Sequence, residues 1–181
     1  MQTRTLVRTD LSKWARVLGV ALFAVLTAIS ARVSVPVAFS PIPLTLQVLV
    51  VVLSGFVLGP WGALMAQVIY LQAILLGAPV TAAGVGGPAA FAMPTAGYLV
   101  AFPVAAAAVG WLSHRASAHQ TLWRALGGLV ALAVIYVTGM IWLAPYAGSL
   151  KAAFALGVVP FVAADAAKVA IATAALSLRR R

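Results

Sequence analysis

The chain has 181 residues, of which 64% are hydrophobic and only 8% are charged, and it carries a net charge of +10. A soluble domain has roughly a quarter charged residues, so this composition excludes a water-facing surface over most of the chain. The absence of Cys excludes disulfides and thiolate sites. In a soluble protein the excess of Lys and Arg would indicate nucleic acid as a partner, but here orientation in a membrane explains it better.

Six apolar runs predict six membrane-spanning helices, because each crossing of a bilayer core about 30 Å thick needs on the order of 20 apolar residues. The predicted spans are about 17–31, 44–58, 61–76, 91–112, 125–143 and 152–178. We therefore expect an all-α integral membrane bundle that forms a single transmembrane domain over residues 1–181. Residues 1–14 form a basic segment, predicted to be cytoplasmic, and a cleaved signal peptide is the less favoured interpretation of this start.

Pro and Gly mark the connections between the runs. Three prolines forbid a regular helix over 33–43, where we expect a structured loop. Gly59-Pro60 predicts a tight turn between the second and third spans. The segment 77–88 is a loop of small residues, and Pro145–Lys151 is the loop before the last span.

The distribution of positive charge predicts the orientation in the membrane. With six spans both termini share a side, and that side carries most of the basic residues: Arg4, Arg8, Lys13, Arg16, Arg115, Arg124 and Arg179 to Arg181. The opposite loops carry only Arg32 and Lys151. The positive-inside rule then places both termini in the cytoplasm.

Two charged residues lie inside the sixth apolar run. Asp165 and Lys168 are at spacing i, i+3, which places them on one face of a helix. A charge at the centre of a membrane helix costs about 2.5–3.5 kcal/mol on insertion scales. The pair is either a self-neutralising ion pair or the lining of a polar ligand cavity. We favour the cavity, because intramembrane ionisable residues usually mark a functional site.

The glycine-rich segment from Gly84 to Pro88 is either a ligand-contacting loop or a flexible linker. No Gly-Lys-Ser or Gly-Lys-Thr follows it, so it does not fit a phosphate-binding loop, and any drive by ATP must come from another subunit. We interpret His114 and His119 as solvated residues of a basic loop and not as metal ligands.

Polar residues inside the spans either bond neighbouring helices together or contact a ligand: Gln47, Gln67, Tyr70, Gln72, Thr95 and Tyr98. Ala24 and Ala28 in the first span have the spacing that allows close helix contact. This contact could serve packing inside the bundle or docking to a partner subunit.

Four stretches together resemble the BioY family, the biotin-binding S components of energy-coupling-factor (ECF) vitamin transporters. Their order and spacing match over about residues 15–175, and the stretches are Pro41–Gln47, Gly86–Pro88, Pro94–Tyr98 and Pro160–Lys168. The segment after Gly77 departs from the family pattern, because Ala-Pro-Val-Thr-Ala-Ala contains neither Asn nor Arg. A polar contact that some members supply there is missing or replaced.

The resemblance implies a six-helix bundle in the cytoplasmic membrane of a prokaryote that binds biotin from the outer face. It implies a coupling transmembrane subunit and two ABC ATPase subunits as partners, with ATP used by those partners, biotin as the transported ligand, and no cofactor, metal or catalytic residue. The residues that it assigns to the substrate site are Gly86, Gly87, Thr95, Gly97, Tyr98, Asp165 and Lys168, to which we add Gln47 and Tyr70 as polar span residues. The contact with the coupling subunit is assigned to Ala24 and Ala28.

Other interpretations stay open at this point. Arg32 is an alternative partner for the biotin carboxylate, in place of Lys168. The chain could carry another vitamin on the same bundle, form a homo-oligomer, or be a structural assembly subunit without a ligand. A membrane enzyme with Asp165 as base is disfavoured, because the spans contain no His or Glu as a second catalytic group.

Overall fold

The structure is a computed structural model that describes residues 3–114 and 119–178, with side chains described over 13–114 and 119–176. The described chain is built from α1 (Thr3–Arg32), α2 (Gln47–Leu75), α3 (Ala96–Ser113), α4 (Gln120–Ala147), α5 (Leu150–Gly157) and α6 (Val162–Leu178). A 3-10 helix, Pro88–Ala92, precedes α3. Strands β1 (Ser34–Val35) and β2 (Leu44–Thr45) pair antiparallel, with Ser34 opposite Thr45.

Helix α2 is two antiparallel arms and not one straight helix. Gly59 has φ 72° and ψ −176°, and Pro60 follows it. Gln47 Nε2 donates a 2.9 Å hydrogen bond to the hydroxyl of Tyr70, 23 residues along the chain. A straight helix would separate these residues by about 35 Å. The two arms, 47–58 and 60–75, therefore correspond to the second and third predicted spans, joined by the turn that Gly59-Pro60 predicts.

The last predicted span, 152–178, is wrong as one continuous helix. Helices α5 and α6 meet at an angle of 52°. Pro160 lies between them, where it lacks an N–H group and disfavours helical geometry at the residue before it. Among the described residues, four helices are long and apolar enough to cross a membrane, or five when α5 and α6 count as one bent span. When each arm of α2 also counts as a separate span, the number of helical segments equals the six predicted spans.

Several boundaries also differ from the prediction, beginning with α1, which starts at Thr3 and not near residue 17. The fourth span was expected from residue 91, but α3 begins at Ala96, because Met93 is extended before Pro94. Helix α4 is longer than 125–143 and includes Arg124, which is buried at 7% exposure and is not a loop residue. The predicted loop at 145–151 is shorter, since α4 continues up to Gly148, which is in the left-handed conformation. Ser149 then caps α5, because its side chain accepts a 3.1 Å hydrogen bond from Ala152 N.

Helix α3 lies at the centre of the bundle between α2 and α4. Gly55 faces Val109 so closely that a Cβ on Gly55 would lie 2.6 Å from the Val109 side chain. Gly110 packs against the backbone of Pro60 in the same way. Helices approach this closely in membranes through small residues, because van der Waals packing replaces the hydrophobic effect there.

The bundle has two distinct ends. We call the end with the Gly59-Pro60 turn and His114 the turn end, since a Cβ on Gly59 would lie 3.9 Å from the His114 ring. The opposite end, called the loop end, carries the end of α1 at Arg32, the β1–β2 pair, the loop 76–87 and the break between α5 and α6.

Most of the charges behind the orientation prediction lie outside the described side chains: Arg4, Arg8, Arg115 and Arg179 to Arg181. The cytoplasmic placement of both termini therefore stays a prediction.

Candidate functional site

A cavity lies at the loop end among α2, α3, α4, the α5–α6 break and the loop 76–87. Its volume is about 60 Å³. Small-molecule sites usually have apolar walls and a few placed polar groups. The polar residues that line this cavity are Thr45, Gln47, Thr81, Thr95, Tyr98, Tyr136, Asp165 and Lys168. The apolar walls include Leu44, Val48, Leu99, Phe102, Ile135 and Phe161.

Asp165 and Lys168 form an ion pair on the wall of this cavity. Lys168 Nζ lies 2.6 Å from Asp165 Oδ1. Both residues are buried, at 4% and 7% exposure. Asp165 is in the first turn of α6, where the helix dipole favours a carboxylate. The pair therefore neutralises itself and also presents its polar atoms to the cavity, so the two interpretations of the sequence are not exclusive.

Two further elements hold the ion pair. The hydroxyl of Tyr136 on α4 donates a 2.8 Å hydrogen bond to Asp165 Oδ2. Lys168 Nζ donates a 2.6 Å bond to the carbonyl oxygen of Thr45 in β2. The pair thus links α6 to α4 on one side and to the β1–β2 segment on the other. Charge-assisted bonds of this kind are about twice as strong as neutral ones.

The hydrogen-bond chain continues from Thr45 to the loop 76–87. Thr45 Oγ1 donates to Gln47 Oε1 at 3.2 Å, and Gln47 Nε2 donates to the Tyr70 hydroxyl at 2.9 Å. The Tyr70 hydroxyl in turn donates to the carbonyl oxygen of Val80 at 3.2 Å. Tyr70 is 1% exposed and lies behind Gln47, outside the cavity lining. Its structural effect is to tie the loop to the cavity wall.

Tyr98 connects the cavity wall to the α5–α6 break. Its hydroxyl donates a 2.9 Å hydrogen bond to the carbonyl oxygen of Gly157, the last residue of α5. Gly139 and Gly157 make room for it, since a Cβ on either glycine would overlap the Tyr98 side chain. The two glycines therefore let α4 and α5 close around this ring.

The loop 76–87 is folded onto the end of α2. Thr81 Oγ1 donates to Val85 O at 2.8 Å and accepts from Val85 N at 2.9 Å, which closes a small internal ring. Gly87 N donates to Ile74 O at 2.7 Å. A Cβ on Gly86 would overlap the carbonyl oxygen of Gly77, so the absence of a side chain there lets the loop double back on itself. Thr81 is the polar side chain by which this loop faces the cavity.

The structure brings five of the predicted site residues to the cavity surface: Gln47, Thr95, Tyr98, Asp165 and Lys168. Gly86 and Gly87 do not line it and instead shape the loop. Gly97 faces away, because a Cβ on it would overlap Trp142 of α4. Gly86 and Gly97 are thus closely packed against other parts of the chain, whereas Gly87 has open space around it and a left-handed φ of 76°. None of the three lines the cavity.

Ala24 and Ala28 do not lie on a fully exposed face of α1. Ala24 is 6% exposed and joins the core between α1 and α2. Ala28 is half-buried against the same core. Of the two roles left open by the sequence, the structure favours internal packing for Ala24.

Sequence reasoning missed Tyr136 and the backbone carbonyl of Thr45. Tyr136 is one of four tyrosines in the chain, and nothing in its neighbourhood distinguishes it. Its spacing from Asp165 is long, so only the packing of α4 on α6 reveals the contact. The Thr45 carbonyl carries no sequence signal, although Thr45 lies inside the Pro41–Gln47 stretch.

The histidines are outside the cavity. His114 is exposed at the turn end, and its Nδ1 lies 2.9 Å from the carbonyl oxygen of Gly110. His119 is exposed at the start of α4. Within the described residues, no group of three or more His, Cys, Asp or Glu side chains could hold a metal ion.

Comparison with known proteins finds one family model, described as BioY family, that matches residues 2–181. A probable biotin transporter BioY of Pyrococcus horikoshii is 43% identical over 153 residues, which cover 84% of this chain and 88% of that protein. The biotin transporter BioY of Thermotoga maritima is 34% identical over 87% of this chain and 90% of that protein. The biotin transporter BioY of Rhizobium etli is 34% identical over 95% of this chain and 90% of that protein.

One solved structure shares the fold. It is the S-component for biotin from an ECF-type ABC transporter, which superposes with a TM-score of 0.83 over 100% of this chain and 95% of that chain. The sequence identity is 22%, so this likeness is evidence for the fold alone. It agrees with the six-helix bundle that the sequence predicts.

Proposed function

The chain belongs to the BioY family, and from this premise we propose that it binds biotin in the loop-end cavity and serves biotin uptake as the S component of an ECF transporter. Membership makes it a multi-pass protein of the prokaryotic cytoplasmic membrane and a transporter component, not an enzyme. The observation that carries the proposed site is the buried Asp165–Lys168 pair on the wall of a cavity that is otherwise mainly apolar.

The ion pair suits the ureido ring of biotin, which has N–H donors beside a carbonyl acceptor. Asp165 accepts one bond on each oxygen from Tyr136 and Lys168, and a carboxylate has about four lone-pair sites. Lys168 has three N–H donors, of which Asp165 and the Thr45 carbonyl use two. The pair can therefore accept from a ureido N–H and donate to the ureido carbonyl at once, without losing its own bonds.

The apolar walls suit the rest of the ligand. Leu99, Phe102, Ile135 and Phe161 line the cavity beside the ion pair. The thiophane ring and alkyl chain of biotin are apolar and gain about 25 cal/mol for each Å² that they remove from water. The cavity thus combines a small polar patch with a larger apolar surface, as small-molecule sites usually do.

The predicted orientation places the loop end at the outer face of the membrane, so biotin would enter there. The loop 76–87 covers one side of the cavity and is held by Tyr70 and Thr81, which makes it the proposed lid. A transmembrane coupling subunit and two ABC ATPases are the proposed partners, and their ATP hydrolysis would drive release of biotin to the cytoplasm. Ala28 is more accessible than Ala24 and is the proposed contact of α1 with the coupling subunit.

Thermal unfolding of the purified protein in detergent tests the ligand. Biotin at about 100 times its dissociation constant should add about 2.7 kcal/mol to the free energy of unfolding. We expect biotin to raise the melting temperature and lipoate and thiamine to leave it unchanged. A rise with another vitamin but not with biotin would favour an S component of different substrate. A melting temperature of the folded protein that none of these vitamins raises would contradict the proposal.

A further inference from the structure

We propose that Arg32 binds the carboxylate of the ligand at the mouth of the cavity, while the Asp165–Lys168 pair binds the opposite end of the ligand. This inference rests on the proposed function. It assigns a binding residue that does not line the cavity and that belongs to none of the four stretches that carry the family resemblance.

Arg32 lies on the rim between the two segments that border the cavity. It is the last residue of α1 and is exposed, and Ser34, which follows shortly after it, pairs with Thr45 of the cavity wall. On its other side the guanidinium rests on the loop 76–87, since a Cβ on Gly84 would lie 3.0 Å from Arg32 Nη1. Gly84 closes a turn with Thr81, which faces the cavity.

Among the side chains that the structure describes, no acid lies free for this guanidinium at the loop end. The sequence contains two acidic residues, Asp10 and Asp165. Asp165 is already bonded by Lys168 and Tyr136, and Asp10 belongs to the opposite part of α1, outside the described side chains. An Arg beside a cavity mouth with no acid of its own is suited to an external anion, and its planar fork matches a carboxylate.

The ion pair is a poor place for the ligand carboxylate. A second carboxylate beside Asp165 would be repelled by it and would lose its hydration in a buried site. The neutral ureido ring meets neither cost and matches the donor and acceptor of the pair. The carboxylate, at the end of a flexible alkyl chain, is better placed at the mouth, where water still reaches it.

The loop itself supplies no cation at the mouth of the cavity. The segment Ala78 to Ala83 contains no charged residue and no Asn. Arg32 extends from α1 onto this loop at Gly84 and so places a positive charge there. The left-handed φ of +69° at Gly84 favours glycine, which also leaves space for the guanidinium.

Isothermal titration with two ligands tests the assignment. The ligands are biotin and biotinamide, in which a neutral amide replaces the carboxylate. The variants are Arg32→Gln and the control Lys151→Gln, which removes another exposed cation, on α5. We expect Arg32→Gln to lower the affinity for biotin about tenfold, as loss of one charge-assisted contact does. The affinity for biotinamide should not change. Lys151→Gln should change the affinity for neither ligand.

The outcomes separate this inference from the proposed function. Biotin binding by the wild type with no loss in Arg32→Gln would overturn the role of Arg32 and leave the function intact. An equal loss for biotin and biotinamide would also overturn it, because the effect would not depend on the carboxylate. Failure of the wild type to bind biotin would overturn the function and the inference together. Arg32→Lys, which keeps the charge without the fork, should give an intermediate affinity for biotin.

Discussion

The hydroxyl of Tyr136 and the carboxylate of Asp165 are joined at the cavity wall by a 2.8 Å hydrogen bond. Lys168 holds the other carboxylate oxygen at 2.6 Å. The carboxylate is therefore fixed from α4 and from its own helix at the same time. A group fixed in this way can receive a ligand N–H without first reorganising, which reduces the cost of binding.

Replacing Tyr136 by Phe should weaken biotin binding about tenfold. The change leaves Asp165 Oδ2 without its donor, and hydrogen bonds to charged groups contribute about 1.5–3 kcal/mol. Titration calorimetry measures the affinity. Tyr146→Phe is the matched control, because the Tyr146 hydroxyl bonds Ala92 O and does not line the cavity. Equal affinities in the two variants would show that Tyr136 does not orient the site.

Asp165→Asn should destabilise the fold by about 3–5 kcal/mol, because it leaves Lys168 buried without a counter-charge. The double variant Asp165→Asn/Lys168→Met removes both charges and should recover most of this loss. Unfolding in detergent, followed by tryptophan fluorescence, measures the stability of both. A double variant as unstable as the single one would argue against a coupled pair.

Replacing Tyr70 by Phe should loosen the loop 76–87. The hydroxyl accepts from Gln47 and donates to Val80 O, so its removal cuts the link between the cavity wall and the loop. We expect biotin to dissociate about fivefold faster, as loss of about 1 kcal/mol implies. Hydrogen exchange at the loop amides should rise in parallel. A faster dissociation without a change in exchange would place the effect elsewhere than in the loop.

Gly139→Ala should destabilise the bundle by about 1–3 kcal/mol, which is the usual cost of overpacking. The added methyl group would overlap the ring of Tyr98. Gly127→Ala on the same helix is the control, because its Cβ would lie 3.4 Å or more from its neighbours, which is ordinary contact. Adding Tyr98→Leu to Gly139→Ala should restore stability. Equal stabilities of the two glycine variants would contradict the packing of α4 on Tyr98.

The sequence predicts the helical bundle well because apolar runs and their Pro and Gly boundaries are local signals. Gly59-Pro60 marks a turn in the sequence, and the Gln47–Tyr70 bond is the contact that such a turn allows. The break between α5 and α6 was missed, although Pro160 is visible, because hydrophobicity continues through it. Local patterns report where a helix can begin and less reliably where one bends.

The site is only partly predictable for a related reason. A charged pair in an apolar run, Asp165 with Lys168, is conspicuous in the sequence. The groups that hold it are a tyrosine and a backbone carbonyl, Tyr136 and Thr45 O, which come from distant segments and depend on helix packing. Gly97 belongs to a motif of the family resemblance, yet the structure uses it against Trp142.

The most direct test of the account is a biotin titration of the wild type beside the double variant Asp165→Asn/Lys168→Met. We expect the wild type to bind biotin, and the double variant to stay folded, with the helical circular dichroism of the wild type, and to show no binding. Biotin binding by the double variant with wild-type affinity would contradict the placement of the ligand at the ion pair.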